Sequence, residues 1–469
     1  MPVFESVQRG DTVSTDFHLA HALLPDGWAS NVRLSCDDDG HICAVTSGVS
    51  AQARDTRLGT VVPGMANLHS HAFQRAMAGL SERRGPGRDS FWSWREVMYR
   101  FLDRLDPDAV EAIAALVQVE MLEAGFTAVG EFHYLHHDAD GTPYDDPGEM
   151  AGRICAAANT TGIALTLLPV FYRHAGFNQT PATQGQRRFL NDPDSYARLM
   201  ERARHHAGPL PNARVGIAPH SLRAASMDDI TTILPLAGKD PIHIHIAEQT
   251  GEVEACLAAT GQRPVRHLLD HQPVNDRWCL VHATHMDSGE IRDLAASGAV
   301  AGLCPLTEAS LGDGLFPAVD YLAAGGAIGI GSDSHIRIDL AEEIRLLEYG
   351  QRLTHRQRNL LTRPGTSTGH NLFDACLAGG AQALGQPMGR LQVGLRADLV
   401  ELETRHPVLT GRRDDALLDS WLFAGDARQV RSVHVGGRLC VTEGRSLVRD
   451  AVELRYANTL QSILEGWSA

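Results

Sequence analysis

The sequence predicts an α/β fold, a (β/α)8 TIM barrel accompanied by a small β-sandwich domain that both chain ends form together. Three observations carry this. Strand-like apolar runs alternate with helix-periodic stretches eight times between residues 62 and 385, the number a closed barrel requires. Polar residues gather at the carboxyl ends of those runs, where a barrel assembles its βα loops. Short strand-like stretches broken by Gly and Asp turns occupy residues 1–61 and 386–469. We therefore divide the chain into 1–61 and 386–469, two parts of the small domain, and the barrel at 62–385.

In chain order, Asp37, Asp38 and Asp39 before Gly40 read as a hairpin turn rather than a cation site. The apolar run at 63–68 ends in His69-Ser70-His71; alternate strand residues point to one face, so this end presents two imidazoles together. Residues 73–80 are expected to be helical and 83–89 to be a polar loop. Phe91-Trp92-Ser93-Trp94-Arg95-Glu96 opens a helix whose Trp side chains are expected to pack. Helical spacing at 108–124 stops at Gly125, and a strand follows at 126–134. Further strands are predicted at 164–171, 213–219, 241–247, 278–282, 299–304 and 327–332. Helices are predicted at 196–205, 252–259, 289–297 and 319–324. A closing helix at 371–383 leads to strands at 394–400 and 430–435, and a last helix at 454–466 is expected to dock on the surface.

The formal net charge of −15 argues against a nucleic-acid or anionic-membrane partner, and an anionic small substrate would need local arginine. The eight cysteines are scattered with no CxxC pair, and no apolar run is as long as a membrane span. With no basic and apolar leader, the expectation is a cytoplasmic protein. Lys239 is the only lysine, so chemistry that requires a strand-borne lysine has no candidate in the barrel.

A catalytic metal site wants three or four N and O ligands and one position left open. His69 and His71 on the first strand, His245 on the fifth and Asp333 on the eighth supply such a set. His243 shares the His-x-His spacing with His245, and for it a ligand role and a purely structural role stay open. Glu248, three residues beyond His245, is placed to carry protons, and His282 ends the sixth strand. A bound divalent ion lowers the pKa of water to about 7, which makes a nucleophile available at neutral pH.

Five stretches together resemble the amidohydrolase superfamily: Asn67-Leu68-His69-Ser70-His71-Ala72-Phe73-Gln74-Arg75, Phe91-Trp92-Ser93-Trp94-Arg95, Ala218-Pro219-His220-Ser221-Leu222-Arg223, His243-Ile244-His245-Ile246-Ala247-Glu248-Gln249 and Gly331-Ser332-Asp333-Ser334-His335. The resemblance covers nearly the whole chain. Its generic elements indicate the deaminating branch, while Gln74, Arg95, Tyr134, His220 and Arg223 resemble the members that act on N-formimidoyl-L-glutamate. The resemblance implies hydrolytic deimination of that substrate to N-formyl-L-glutamate and ammonia, in histidine degradation. It implies one Zn2+ per subunit (Fe2+ as the alternative) on His69, His71, His245 and Asp333, and a homodimer. It makes Glu248, His282 and Asp333 catalytic, and Gln74, Arg95, Tyr134, His220 and Arg223 substrate-binding. The lone lysine agrees with one metal, because two-metal members bridge their ions with a modified strand lysine. A dicarboxylate substrate suits Arg95 and Arg223, since a guanidinium matches a carboxylate with two parallel hydrogen bonds.

Two other readings compete. A zinc aminohydrolase of a purine or related ring would share the metal elements and predict an aromatic stacking pocket. A catalytically silent barrel kept for binding would have no need of Glu248, His282 and Asp333 together.

Overall fold

The structure is a computed structural model that describes residues 15–83 and 91–467. Apart from Arg83, the polar loop expected at 83–89 lies outside them. The eight barrel positions are Met65–Ser70, Phe126–His133, Ala164–Phe171, the pair Arg214–Val215 and Ala218–Pro219, then Ile242–Ile246, Trp278–His282, Val300–Leu303 and Ala327–Ile330. Neighbours pair in parallel, with Ala128 opposite Ala164 and His245 opposite Val281. The fourth position is two short pieces because its backbone changes partner between them: Gly216 donates to the Leu167 carbonyl and Ile217 to that of Pro241.

Single parallel bridges complete the circle. Ser221 meets His245 between the fourth and fifth positions, and Ser70 meets Asp333 between the first and eighth. At this last seam Asp333 N donates to His69 O and His71 N to Asp333 O, both at 3.0 Å. The barrel is filled rather than hollow. Leu68 is fully buried, and a Cβ at Gly302 or Gly329 would come within 2.8 or 2.5 Å of its methyl carbons, so both positions need glycine.

Helices cover the barrel. Pro107–Glu123 starts where Asp106 accepts from Ala109 N, with Pro107 in the first turn, and is buried along most of its length. The last helix, Arg449–Leu464, begins and ends earlier than expected and docks on it through Arg449–Glu123 and Arg455–Glu111 ion pairs. Two expectations change. Residues 73–80 are not an α-helix; the chain forms a single 3-10 segment, Ala72–Met77, buried along most of its length directly after the His69–His71 strand end. Residues 394–398 are irregular, with a single antiparallel bridge between Arg396 and His41, and the strand is Leu399–Leu402.

The two chain ends meet in one eight-stranded sheet, where Thr56–Pro63 pairs antiparallel with Leu399–Leu402. Phe17, Leu19, Val32, Leu34 and Leu399 form its own fully buried core. Asp37 closes the expected hairpin turn, accepting from the Asp39 and His41 amides. Sheet and barrel are clamped by a buried pair: Arg396 grips Asp398 through Nε and Nη2 and donates from Nη1 to Gln386, while Thr127 of the second barrel strand donates to Asp398 Oδ2 at 3.0 Å. Lys239 is exposed in the turn that leads into Ile242–Ile246, at the end of the barrel opposite His245. Among the described residues no helix is long and apolar enough to cross a membrane.

Candidate active site

The first and fifth strands bring three imidazoles to one point. The Nε2 atoms of His69 and His71 are 3.1 Å apart, those of His69 and His245 3.0 Å, and those of His71 and His245 3.3 Å. A carbonyl only accepts, so the contacts of His71 Nδ1 with Phe132 O and of His245 Nδ1 with His220 O place a proton on each Nδ1. These two neutral rings then face each other with bare Nε2 lone pairs, which repel unless a cation lies between them, and His69, whose Nδ1 is buried without a partner, brings its Nε2 to the same point. Burial keeps all three neutral: His71 falls to about 3, and His69 and His245 lie well below their ordinary value, pushed further by neighbouring imidazoles. This donor chemistry fits a divalent ion.

Asp333 closes the set. Its Oδ1 is 3.6 Å from His69 Nε2 and 3.4 Å from His71 Nε2, and its Oδ2 is 3.7 Å from His282 Nε2. Burial raises its carboxyl to about 7, a shift that a nearby cation would reverse. Glu248 Oε1 lies 3.9 Å from His282 Nε2. On the ring's other side, Glu308 Oε1 is 3.2 Å from His282 Nδ1. Burial alone would lower His282, but the field of Glu248, the Glu308 hydrogen bond and Asp333 carry it up to about 10.

One cavity opens on this group, and every residue expected to position substrate lines it: Gln74, Arg95, Tyr134, His220 and Arg223. Gln74 donates to the Tyr134 hydroxyl at 2.8 Å, and its own Oε1 is buried without a partner. Both guanidiniums lie near one indole, Arg95 Cζ at 4.6 Å and Arg223 Cζ at 5.7 Å from the Trp92 ring centroid. Among the described residues no carboxylate is within ion-pair distance of either, and the buried Nε of each has no hydrogen-bond partner. Glu252 lies close enough to Arg223 to favour its charge against the cost of burial. The walls also include Tyr99, Tyr172 and Phe189: the Tyr99 and Tyr172 rings lie tilted against Phe189, Phe189 meets Tyr134 edge to face, and Tyr172 meets His220 in the same way.

The ligands stand on a buried relay. Asn67 donates to Ser332 Oγ, which pairs with His335 Nδ1; His335 Nε2 meets Ser70 Oγ at 2.9 Å, and Ser70 donates to Glu131. This ties the first strand to the eighth on either side of Asp333. Ala247, His282, Ala283, Asp333 and His335 all have positive φ, between 47° and 68°. Such backbone costs on the order of 1–3 kcal/mol per residue and concentrates at functional sites.

The sequence reading missed Glu308, Glu252 and Asp313, the last buried and raised to about 9 chiefly by that burial. Glu252 and Glu308 lie on the helices Thr250–Thr260 and Pro305–Leu311 that follow the fifth and seventh strands, and Asp313 follows the second of these; an acidic residue a few positions past a strand end is the one signal the first two leave. His243 is settled as structural: its Nε2 meets the Ala383 carbonyl at 2.7 Å, one layer below His245.

Fold and site define a metal-dependent hydrolase barrel, and the chain belongs to the amidohydrolase family, whose model matches residues 60–440. Residues 15–59 match the model described as formimidoylglutamate deiminase HutF, N-terminal domain. A formimidoylglutamate deiminase of Pseudomonas aeruginosa is 52% identical over 448 residues, 95% of this chain and 98% of that protein. A 5-methylthioadenosine/S-adenosylhomocysteine deaminase of Natronomonas pharaonis is 28% identical over 92% of this chain and 94% of its own. The crystal structure of an amidohydrolase from Brucella melitensis superposes with a TM-score of 0.92 at 51% identity, covering 96% of this chain and all of that one.

Proposed function

We propose that this protein hydrolyses N-formimidoyl-L-glutamate to N-formyl-L-glutamate and ammonia, a step of histidine degradation. The observation that carries the reading is the pair of guanidiniums, Arg95 and Arg223, which have no carboxylate within ion-pair distance among the described residues and line the cavity that also contains the His cluster. A substrate with two carboxylates supplies the missing partners. The 52% identity to a formimidoylglutamate deiminase supports the same substrate.

In this reading His69, His71, His245 and Asp333 hold one zinc ion, consistent with three imidazole nitrogens and a carboxylate around a position that faces the cavity. A divalent ion there supplies Lewis acidity and lowers the pKa of water to about 7. Glu248 carries a proton to the imino nitrogen, which leaves as ammonia. His282, whose Nδ1 proton is held by Glu308, turns its Nε2 toward the charge that develops at the formimidoyl carbon. Gln74 and Tyr134 orient the substrate from the His71 side, and His220, edge to face with Tyr134, lines the cavity beside them.

A second reading is favoured by the aromatic wall of Tyr99, Tyr172 and Phe189: deamination of a purine ring. Ammonia release from N-formimidoyl-L-glutamate, guanine and adenosine, measured side by side, separates the two. Release from the first alone is expected, and no release from it overturns the proposal.

A further inference from the structure

A second donor set lies directly beside the His cluster. His282, Cys304 and Asp333 each offer one donor atom, the three atoms lie within 4.8 Å of one another, and all three residues are buried. Asp333 is the shared wall: Oδ1 faces His69 and His71, and Oδ2 faces His282. Glu308 anchors the other side, accepting from Cys304 N at 2.9 Å and engaging His282 Nδ1, which leaves Nε2 as the ring's free donor. Glu248 adds a carboxylate oxygen 3.9 Å from that nitrogen. The hydrolysis proposed above gives Cys304 no role. A thiol grouped with an imidazole and a carboxylate selects soft, thiophilic divalent ions over Mg2+ or Ca2+.

We propose that His282, Cys304 and Asp333 form a second, inhibitory cation site that takes a thiophilic divalent ion, Cd2+ or excess Zn2+, beside the ion on the His cluster, with Asp333 bridging the two. The inference rests on the reading of His69, His71 and His245 as the resident metal site. On binding, the Cys304 thiol releases its proton to solvent and coordinates as thiolate, while the His282 imidazole, its Nδ1 engaged by Glu308, offers the Nε2 lone pair. The second ion then occupies the same Nε2 that His282 turns toward the substrate, so turnover stops.

The test uses holoenzyme with one equivalent of metal on a Cys43→Ser background, which removes the exposed thiol. Titration with Cd2+ is expected to show a second equivalent binding, an ultraviolet thiolate-to-cadmium charge-transfer band rising with it, and loss of ammonia release in parallel. Adding Cys304→Ser should abolish the band and weaken inhibition about tenfold or more while basal turnover persists, since even an outer partner of a ligand contributes that much. Binding of a second equivalent without the band, or unchanged inhibition in the Cys304→Ser protein, overturns the proposal. Should that variant fail to fold, X-ray absorption at the cadmium edge decides on the Cys43→Ser protein, with a sulfur neighbour expected and its absence fatal. The band and the stoichiometry are read without substrate, so a failure of the deiminase assignment remains distinguishable from a failure of this site.

Discussion

Glu308 Oε1 lies 3.2 Å from His282 Nδ1 and 2.9 Å from the Cys304 amide, so one carboxylate braces the ends of the sixth and seventh barrel strands. Glu308→Gln keeps an acceptor for His282 Nδ1 but loses one of the three carboxylate charges, after that of Glu248, that raise the His282 pKa. The expected result is a fall in kcat of about tenfold to a hundredfold with KM nearly unchanged, smaller than the roughly 10²–10⁴-fold loss from removing a direct proton carrier in Glu248→Gln. Metal content should stay at the wild-type level in both variants. A raised KM with normal kcat in Glu308→Gln would place Glu308 in substrate binding instead.

Arg223 is buried with its Nε unpaired, and a carboxylate that reaches it replaces no existing ion pair. Arg223→Ala should raise KM and lower kcat/KM by on the order of 10–100-fold, the worth of a charged hydrogen bond of about 1.5–3 kcal/mol. Arg223→Lys should recover little of it, because an ammonium lacks the planar fork. Steady-state kinetics check both, and an unchanged KM in the alanine variant counts against a carboxylate contact.

His434 sits in the small sheet against Phe17, with Nδ1 buried and unpartnered. Burial lowers its pKa from 6.5 to about 4. The unfolded chain therefore takes up a proton below 6.5 that the folded chain refuses, so this contribution to stability is complete above 6.5 and is lost as the pH falls toward 4. The linked loss is up to about 3 kcal/mol. Leu cannot take up that proton, so melting temperatures of His434→Leu should fall less steeply than wild type across this window. Parallel slopes would contradict the burial argument.

The Arg396–Asp398 pair is fully enclosed between barrel and sheet, and Thr127, Gln386 and the Gly436 amide complete its hydrogen bonds. Asp398→Asn leaves a buried guanidinium without its counter-charge and should cost about 3–5 kcal/mol. Thr127→Val removes one outer hydrogen bond and should cost about 1 kcal/mol. Denaturant unfolding of the two variants gives the comparison, and equal losses would mean that the charge pair itself contributes little.

Periodicity and the placement of His residues made the barrel legible, because a strand end exposes its chemistry in the order of the chain. His69, His71, His245 and Asp333 could be chosen before any coordinates. Glu308 could not, since its role comes from the helix Pro305–Leu311 turning its carboxylate under His282, a tertiary event with no periodic signature. His243 shows the same limit from the other side: residues two apart share a face, but only depth in the barrel decides which imidazole reaches the cavity and which meets the Ala383 carbonyl. The split fourth strand was equally hidden, because which neighbour each amide would choose depends on the closing of the circle.

The solitary Lys239 gives the molecule a single built-in chemical handle. Apart from the α-amino group, an amine-reactive dye, biotin or resin has one side chain to find, exposed at the end of the barrel away from the cavity. Protein attached to a surface through that residue would stand with its entrance facing the bulk solution.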